Sequence, residues 1–135
     1  MKEKVADWAT REVRTVLPTA LAREVVETMN EGCVRHLLVE DGRLLGMISN
    51  RDLVRVVFQN PGRVLDLDGC TAADIMTPSP LVAVEPGDPL AEAARLMHEH
   101  QVSALPVLDE GRVWGIITTA DILRVFWQTQ EAELR

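Results

Sequence analysis

Apolar residues recur at helical spacing in two places along the chain, Leu21, Ala22, Val25, Val26 and Met29 in the first, and Leu90, Ala93, Ala94 and Met97 in the second. Each set predicts a helix with one buried stripe. Pro86, Asp88 and Pro89 supply start signals before the second. Each helix is followed by an apolar run, 34–39 or 102–108, then a turn carrying Asp and Gly, then a second run, 44–48 or 113–117. That order reads as strand, hairpin, strand. A further helix begins near Asn50 and near Thr119, with Leu53, Val56 and Val57, or Ile122, Leu123 and Phe126, as its expected apolar stripe. With a short strand at 13–16 and at 81–84, each half reads β-α-β-β-α, an α/β (α+β) fold.

The two halves are copies. GRLLGMISNRDLVRVV at 42–57 aligns without gaps on GRVWGIITTADILRVF at 111–126, and Gly42, Arg43, Gly46, Ile48, Asp52, Arg55 and Val56 all meet identical partners. The repeats are expected at 1–58 and 72–130. The connection at 59–71 carries the turn residues Asn60, Pro61, Gly62 and Gly69 together with Val64, Leu65 and Leu67, so it should pack on the surface. A repeat of this size buries too little apolar surface to be stable alone. The copies are therefore expected to share a core about a pseudo-two-fold axis, with a cleft at their junction.

Composition narrows the function. The 135 residues are 47% hydrophobic and 26% charged, the balance of a folded water-soluble protein. A formal net charge of −7 disfavours nucleic acid and anionic lipid as partners. No apolar run has the length of a membrane span and the start lacks the core of a signal peptide, so a cytoplasmic location is expected. Cys33 and Cys70 lack the spacing of a zinc or redox pair, and His98 and His100 are two apart, which sends them to different sides of a helix. No metal site, no required cofactor and no catalytic residue is predicted. Neither a nucleophile–base set nor a Gly-Lys-Ser phosphate loop is present.

The ADIMTPSP run at 73–80, the SALPVLD run at 103–109 and the paired segments GMISNRDL and GIITTADI carry a family resemblance. Over nearly its whole length the chain resembles a tandem pair of cystathionine-β-synthase (CBS) domains, the Bateman module. The resemblance implies clefts able to hold AMP, ADP, ATP or S-adenosylmethionine, a homodimer formed through helices, and an effector protein of unknown identity. It places Asp52 and Asp121 on ribose hydroxyls, and Ser49, Thr118 and Thr119 on phosphate or ribose. The chain departs from the family pattern at Leu38, where the second copy has Pro106, and at Trp8, Ala9 and Thr10.

The chemistry of these residues agrees with that assignment, since a carboxylate accepts from two vicinal hydroxyls and a helix start offers free N–H groups to an anion. Val34, Leu37, Val102, Ala104 and Pro106 could line an apolar slot for a purine. Arg35, His36 and Arg51 give the first copy cations where the second has Ser103, Ala104 and Ala120. The first site is thus expected to take the more phosphorylated ligand. Ser49-x-x-Asp52 and Thr118-x-x-Asp121 also have the spacing of a structural capping box. Two functions follow: a regulatory module that senses an adenine nucleotide or adenosyl compound and responds by conformational change or assembly, or a ligand-free dimerisation and interaction module.

Overall fold

The computed structural model describes residues 2–59, 66–79 and 81–133. In chain order the elements are α1 (Val5–Trp8), β1 (Thr15–Val16), α2 (Ala22–Gly32), β2 (His36–Glu40), β3 (Leu44–Ser49), α3 (Asn50–Gln59), α4 (Ala72–Ile75), β4 (Thr77–Pro78), α5 (Leu90–His100), β5 (Ala104–Asp109), β6 (Arg112–Thr118) and α6 (Thr119–Glu133). The mixed α+β class and the helix–strand–strand–helix order of each copy are as the pattern predicts. None of the described helices is long and apolar enough to cross a membrane.

The elements form two compact units, Val13–Leu81, and Met1–Glu12 joined by Val82–Arg135. These units are offset from the sequence repeats, because the segment leading into each copy packs with the other copy. In the first unit the sheet runs β1-β2-β3-β4, with β1 parallel to β2 and the other pairs antiparallel. Here β4, from the lead-in to the second copy, pairs Thr77 with Met47 and Pro78 with Gly46. In the second unit β5 and β6 form the hairpin, Val84 bridges Val107, and Thr10 bridges Ile116 from the amino-terminal lead-in.

Side-chain periodicity explains both cores. On α2, Ala22, Val25 and Met29 face Leu37 and Val39 of β2, Ile48 of β3, and Ala72 and Ile75 of α4. The equivalents Leu90, Ala93 and Met97 of α5 pack with Leu105, Val107, Ile117 and Val125, and Val5 of α1 completes that cluster. Of the connection, Leu67 and Cys70 pack against the first core, while Asn60, Pro61, Gly62, Val64 and Leu65 lie outside the described residues.

Two glycines are required by the lead-in segments. A Cβ on Gly46 would lie 2.6 Å from the Thr77 carbonyl oxygen, and one on Gly115 would overlap the Thr10 carbonyl oxygen. Both are sites of close backbone approach in which a side chain has no room.

The stripes of α3 and α6 differ from the expected ones. Leu53, Val56 and Ile122 turn inward, but Val57, Leu123 and Phe126 are exposed, and the inner side of α6 is made by Asp121, Ile122 and Val125. The reason is the carboxylate. Asp52 and Asp121 fold back onto the helix start, which fixes the rotation of each helix and sends the residues at i+2 and i+5 outward.

Candidate functional site

The turn from β3 into α3 is held by a reciprocal cap. The Ser49 N–H and Oγ donate to Asp52 Oδ2 at 2.8 and 3.0 Å, and the Asp52 N–H donates to Ser49 Oγ at 3.2 Å. The turn from β6 into α6 repeats it, with Thr118 N–H and Oγ1 donating to Asp121 Oδ2 at 2.8 and 3.2 Å. Asp52 is 7% exposed and Asp121 6%, the two buried charged side chains among the described residues. Burying a charge is costly unless it is paired. Arg55 supplies the pair to Asp52 at 3.0 Å and Arg124 to Asp121 at 3.3 Å.

These arginines also reach the lead-in segments. Arg55 donates to the Ile75 carbonyl at 3.3 Å and Arg124 to the Trp8 carbonyl at 3.1 Å, with its guanidinium 5.4 Å from the Trp8 ring centroid. The Thr77 hydroxyl donates to Asp52 Oδ1 at 3.2 Å. Reasoning on the sequence did not select Arg55, Arg124 or Thr77. The repeat held the signal for the arginines, which stand three residues after each aspartate in both copies.

Arg35 and His36 reach the first helix start through the backbone and the sheet: the Asn50 N–H donates to the Arg35 carbonyl at 3.0 Å, and His36 faces Ser49 across the ladder. Burial lowers the His36 pKa, the Asp52 carboxylate opposes that shift, and Arg35 and Arg51 add to it. His36 thus lies within electrostatic reach of Asp52, Arg35 and Arg51 at the start of α3. In the second unit the Thr119 N–H donates to the Ser103 carbonyl at 2.9 Å, Ala104 stands opposite Thr118, and both positions lack the cations.

The apolar residues divide by sheet face. Leu37 alternates with His36 and lies in the core with Val39, on the face away from the imidazole. Ala104 and Pro106 alternate with the core residues Leu105 and Val107 and are themselves buried. Val34 and Val102 are half-buried against their respective cores. His36 thus shares its strand face with Leu38, and Ala104 with Pro106.

A family model for the CBS domain matches residues 5–59 and 72–128. The chain belongs to the CBS-domain family. A CBS domain-containing protein of Bacillus subtilis is 33% identical over 120 residues, covering 87% of this chain and 81% of that protein. An uncharacterised protein of Methanocaldococcus jannaschii is 32% identical over 133 residues, 92% of this chain but only 47% of its own length. Matched enzymes are larger still: the chain spans 24% of a homoserine O-acetyltransferase of Methanococcoides burtonii and 16% of an inosine-5′-monophosphate dehydrogenase of Staphylococcus saprophyticus.

Among solved structures, the CBS domain pair of protein MJ0100 in complex with 5-methylthioadenosine and S-adenosyl-L-methionine superposes with a TM-score of 0.83 at 26% identity, covering 94% of this chain and 98% of that one. CBSX2 in complex with AMP gives a TM-score of 0.79 at 32% identity, with coverage of 94% and 98%. Both of these neighbours carry adenosine-derived ligands.

Proposed function

We propose that the chain is a regulatory module, not an enzyme, that binds an adenine nucleotide or related adenosyl compound and signals through conformational change or assembly to a separate effector. The observation that carries this reading is the pair of buried carboxylates, each at the start of a helix with a hydroxyl beside it. Such a helix start can offer N–H groups to a phosphate while the carboxylate accepts from ribose hydroxyls. Relatives of the same fold hold AMP, S-adenosylmethionine and methylthioadenosine. In the first unit Arg51 and Arg35 supply positive charge for a phosphate, with the largely neutral imidazole of His36 beside them; in the second, Thr118, Thr119 and Asp121 offer only neutral donors and a carboxylate. Signalling requires a ligand whose affinity differs between two conformations.

The test is a thermal-shift series with AMP, ADP, ATP and S-adenosylmethionine. A ligand at 100 times its dissociation constant adds roughly 2.7 kcal/mol to the folded state. A midpoint raised by one of these compounds, and restored to the unliganded value in Asp52→Asn/Asp121→Asn, is the expected result. No shift with any of them would overturn the reading, and turnover of a nucleotide by the purified chain would overturn its non-enzymatic part.

One observation favours assembly, the second reading. Val54, Val57 and Phe58 on α3 are exposed, and so are Leu123, Phe126 and Trp127 at the equivalent positions of α6, with Phe58 77% and Trp127 65% exposed. Because both copies present the same apolar triad, two chains carry matching surfaces, and we assign these faces to a homodimer. Light scattering is expected to give a dimer for the native chain and a monomer for Phe58→Glu/Trp127→Glu.

A further inference from the structure

The two carboxylates are built alike but are not equally free. A carboxylate accepts at about four lone-pair positions. Asp52 has four donors on it: the Ser49 N–H and hydroxyl on Oδ2, and the Thr77 hydroxyl and Arg55 guanidinium on Oδ1. Among the described residues Asp121 has three, the Thr118 N–H and hydroxyl on Oδ2 and Arg124 on Oδ1.

Thr10 is the counterpart of Thr77. Its backbone pairs with Ile116 just as Thr77 pairs with Met47, yet among the described residues its hydroxyl makes no bond to Asp121. Arg124 is also the looser partner, at 3.3 Å from its carboxylate against 3.0 Å for Arg55, and it is closer to the Trp8 carbonyl at 3.1 Å. Both differences leave Asp121 Oδ1 the more available acceptor.

We infer that Thr77 is an internal competitor for the ribose-binding oxygen of Asp52, so that Asp121 accepts a vicinal diol directly while Asp52 does so only after the Thr77 hydroxyl is displaced. The inference rests on the reading of both carboxylates as ribose acceptors. Thr77 is exposed, so its displaced hydroxyl is rehydrated and the lock is reversible. The cations of the first unit set the ligand class that opens it. A phosphorylated nucleoside gains Arg51 and Arg35 to offset the Thr77 bond that the site gives up, whereas an uncharged nucleoside gains no such partner. Neutral adenosine therefore occupies the Asp121 site alone, and AMP fills both in order. The chain reads concentration in two steps.

Isothermal titration of the full chain with AMP and with adenosine tests this. The expected result for AMP is two unequal steps, the weaker removed by Asp52→Asn and the stronger by Asp121→Asn, with adenosine giving only the stronger. Thr77→Val, which keeps the shape but lacks the hydroxyl, tightens the weaker step about tenfold, as expected for loss of one bond to a charged group. Thr77→Ser restores native behaviour, and Thr10→Val changes neither step. The inference is overturned if Thr77→Val leaves the weaker step as it was, or if that step depends on Asp121. Binding that ignores Thr77 sinks the inference alone, while no heat from either ligand in any variant sinks it together with the sensing function.

Discussion

At the scale of residues, small departures from common chemistry carry measurable costs. Cys33 closes α2 in the left-handed region at φ 50°, where a Cβ is strained and glycine is not. Cys33→Gly is expected to stabilise the chain by about 0.5–1 kcal/mol in urea titrations. His36 gives a pH dependence whose sign follows from its environment. Its folded pKa lies below the ordinary 6.5, mainly through burial, so between those values the unfolded chain binds more protons. Stability therefore falls as the pH drops below about 6.5 and levels off below the folded pKa. Thermal midpoints at pH 7.5 and 5.5 should differ, and His36→Gln should shrink the difference. Arg51 and Arg35 act in a third measurable way. With a net charge of −7 on the chain, the local cations must attract a phosphate against the overall field. Arg51→Ala is expected to weaken AMP binding severalfold at low salt and less at 0.5 M, where screening shortens the reach of every charge to a few ångströms.

At the scale of elements, the lead-in segments decide what substitution the sheets tolerate. Gly115→Ala drives a methyl into the Thr10 carbonyl and is expected to cost about 1–3 kcal/mol, read from denaturant midpoints. Every element of eight residues or more was legible in the sequence, because α2, α3, α5 and α6 are long enough to show a 3.6-residue period and both hairpins lie between turn residues. The hairpin at Glu110 and Gly111 has both central residues at positive φ, 51° and 81°, the geometry favoured between twisted antiparallel strands. By contrast, α1 and α4 are single turns with no period to detect, set instead by Asp7 accepting from the Lys4 N–H and Asp74 from the Thr71 N–H. The outward rotation of Leu123 and Phe126 was hidden because hydropathy alone ranks them above Asp121 for burial. Of the candidate site, the capped helix starts at Ser49 and Asp52 and at Thr118 and Asp121 were legible from the repeated motif, while the Thr77 bond was not, since its link to Asp52 joins residues 25 positions apart.

At the scale of the whole molecule, duplication has produced two units with the same frame and different occupants. The frame is the capped aspartate with its arginine; the occupants are Thr77, Arg51, Arg35 and His36 around one and neutral residues around the other. The lead-in to each copy belongs to the unit built on the other copy, and this has a consequence for biosynthesis. Arg11 stacks over the ring of Trp114, 3.8 Å from its centroid, and donates from Nε to its carbonyl 103 positions away. A ribosome adding roughly 5–20 residues per second needs on the order of 5–20 s to bridge that interval. During that time the unit Val13–Leu81 can close, while residues 2–12 wait first for Pro86, Asp88 and Leu90 and then for the hairpin of β5 and β6. The segment 2–12 is thus translated before the unit Val13–Leu81 yet completes its packing after it, and the second unit is assembled only once the hairpin of β5 and β6 has emerged.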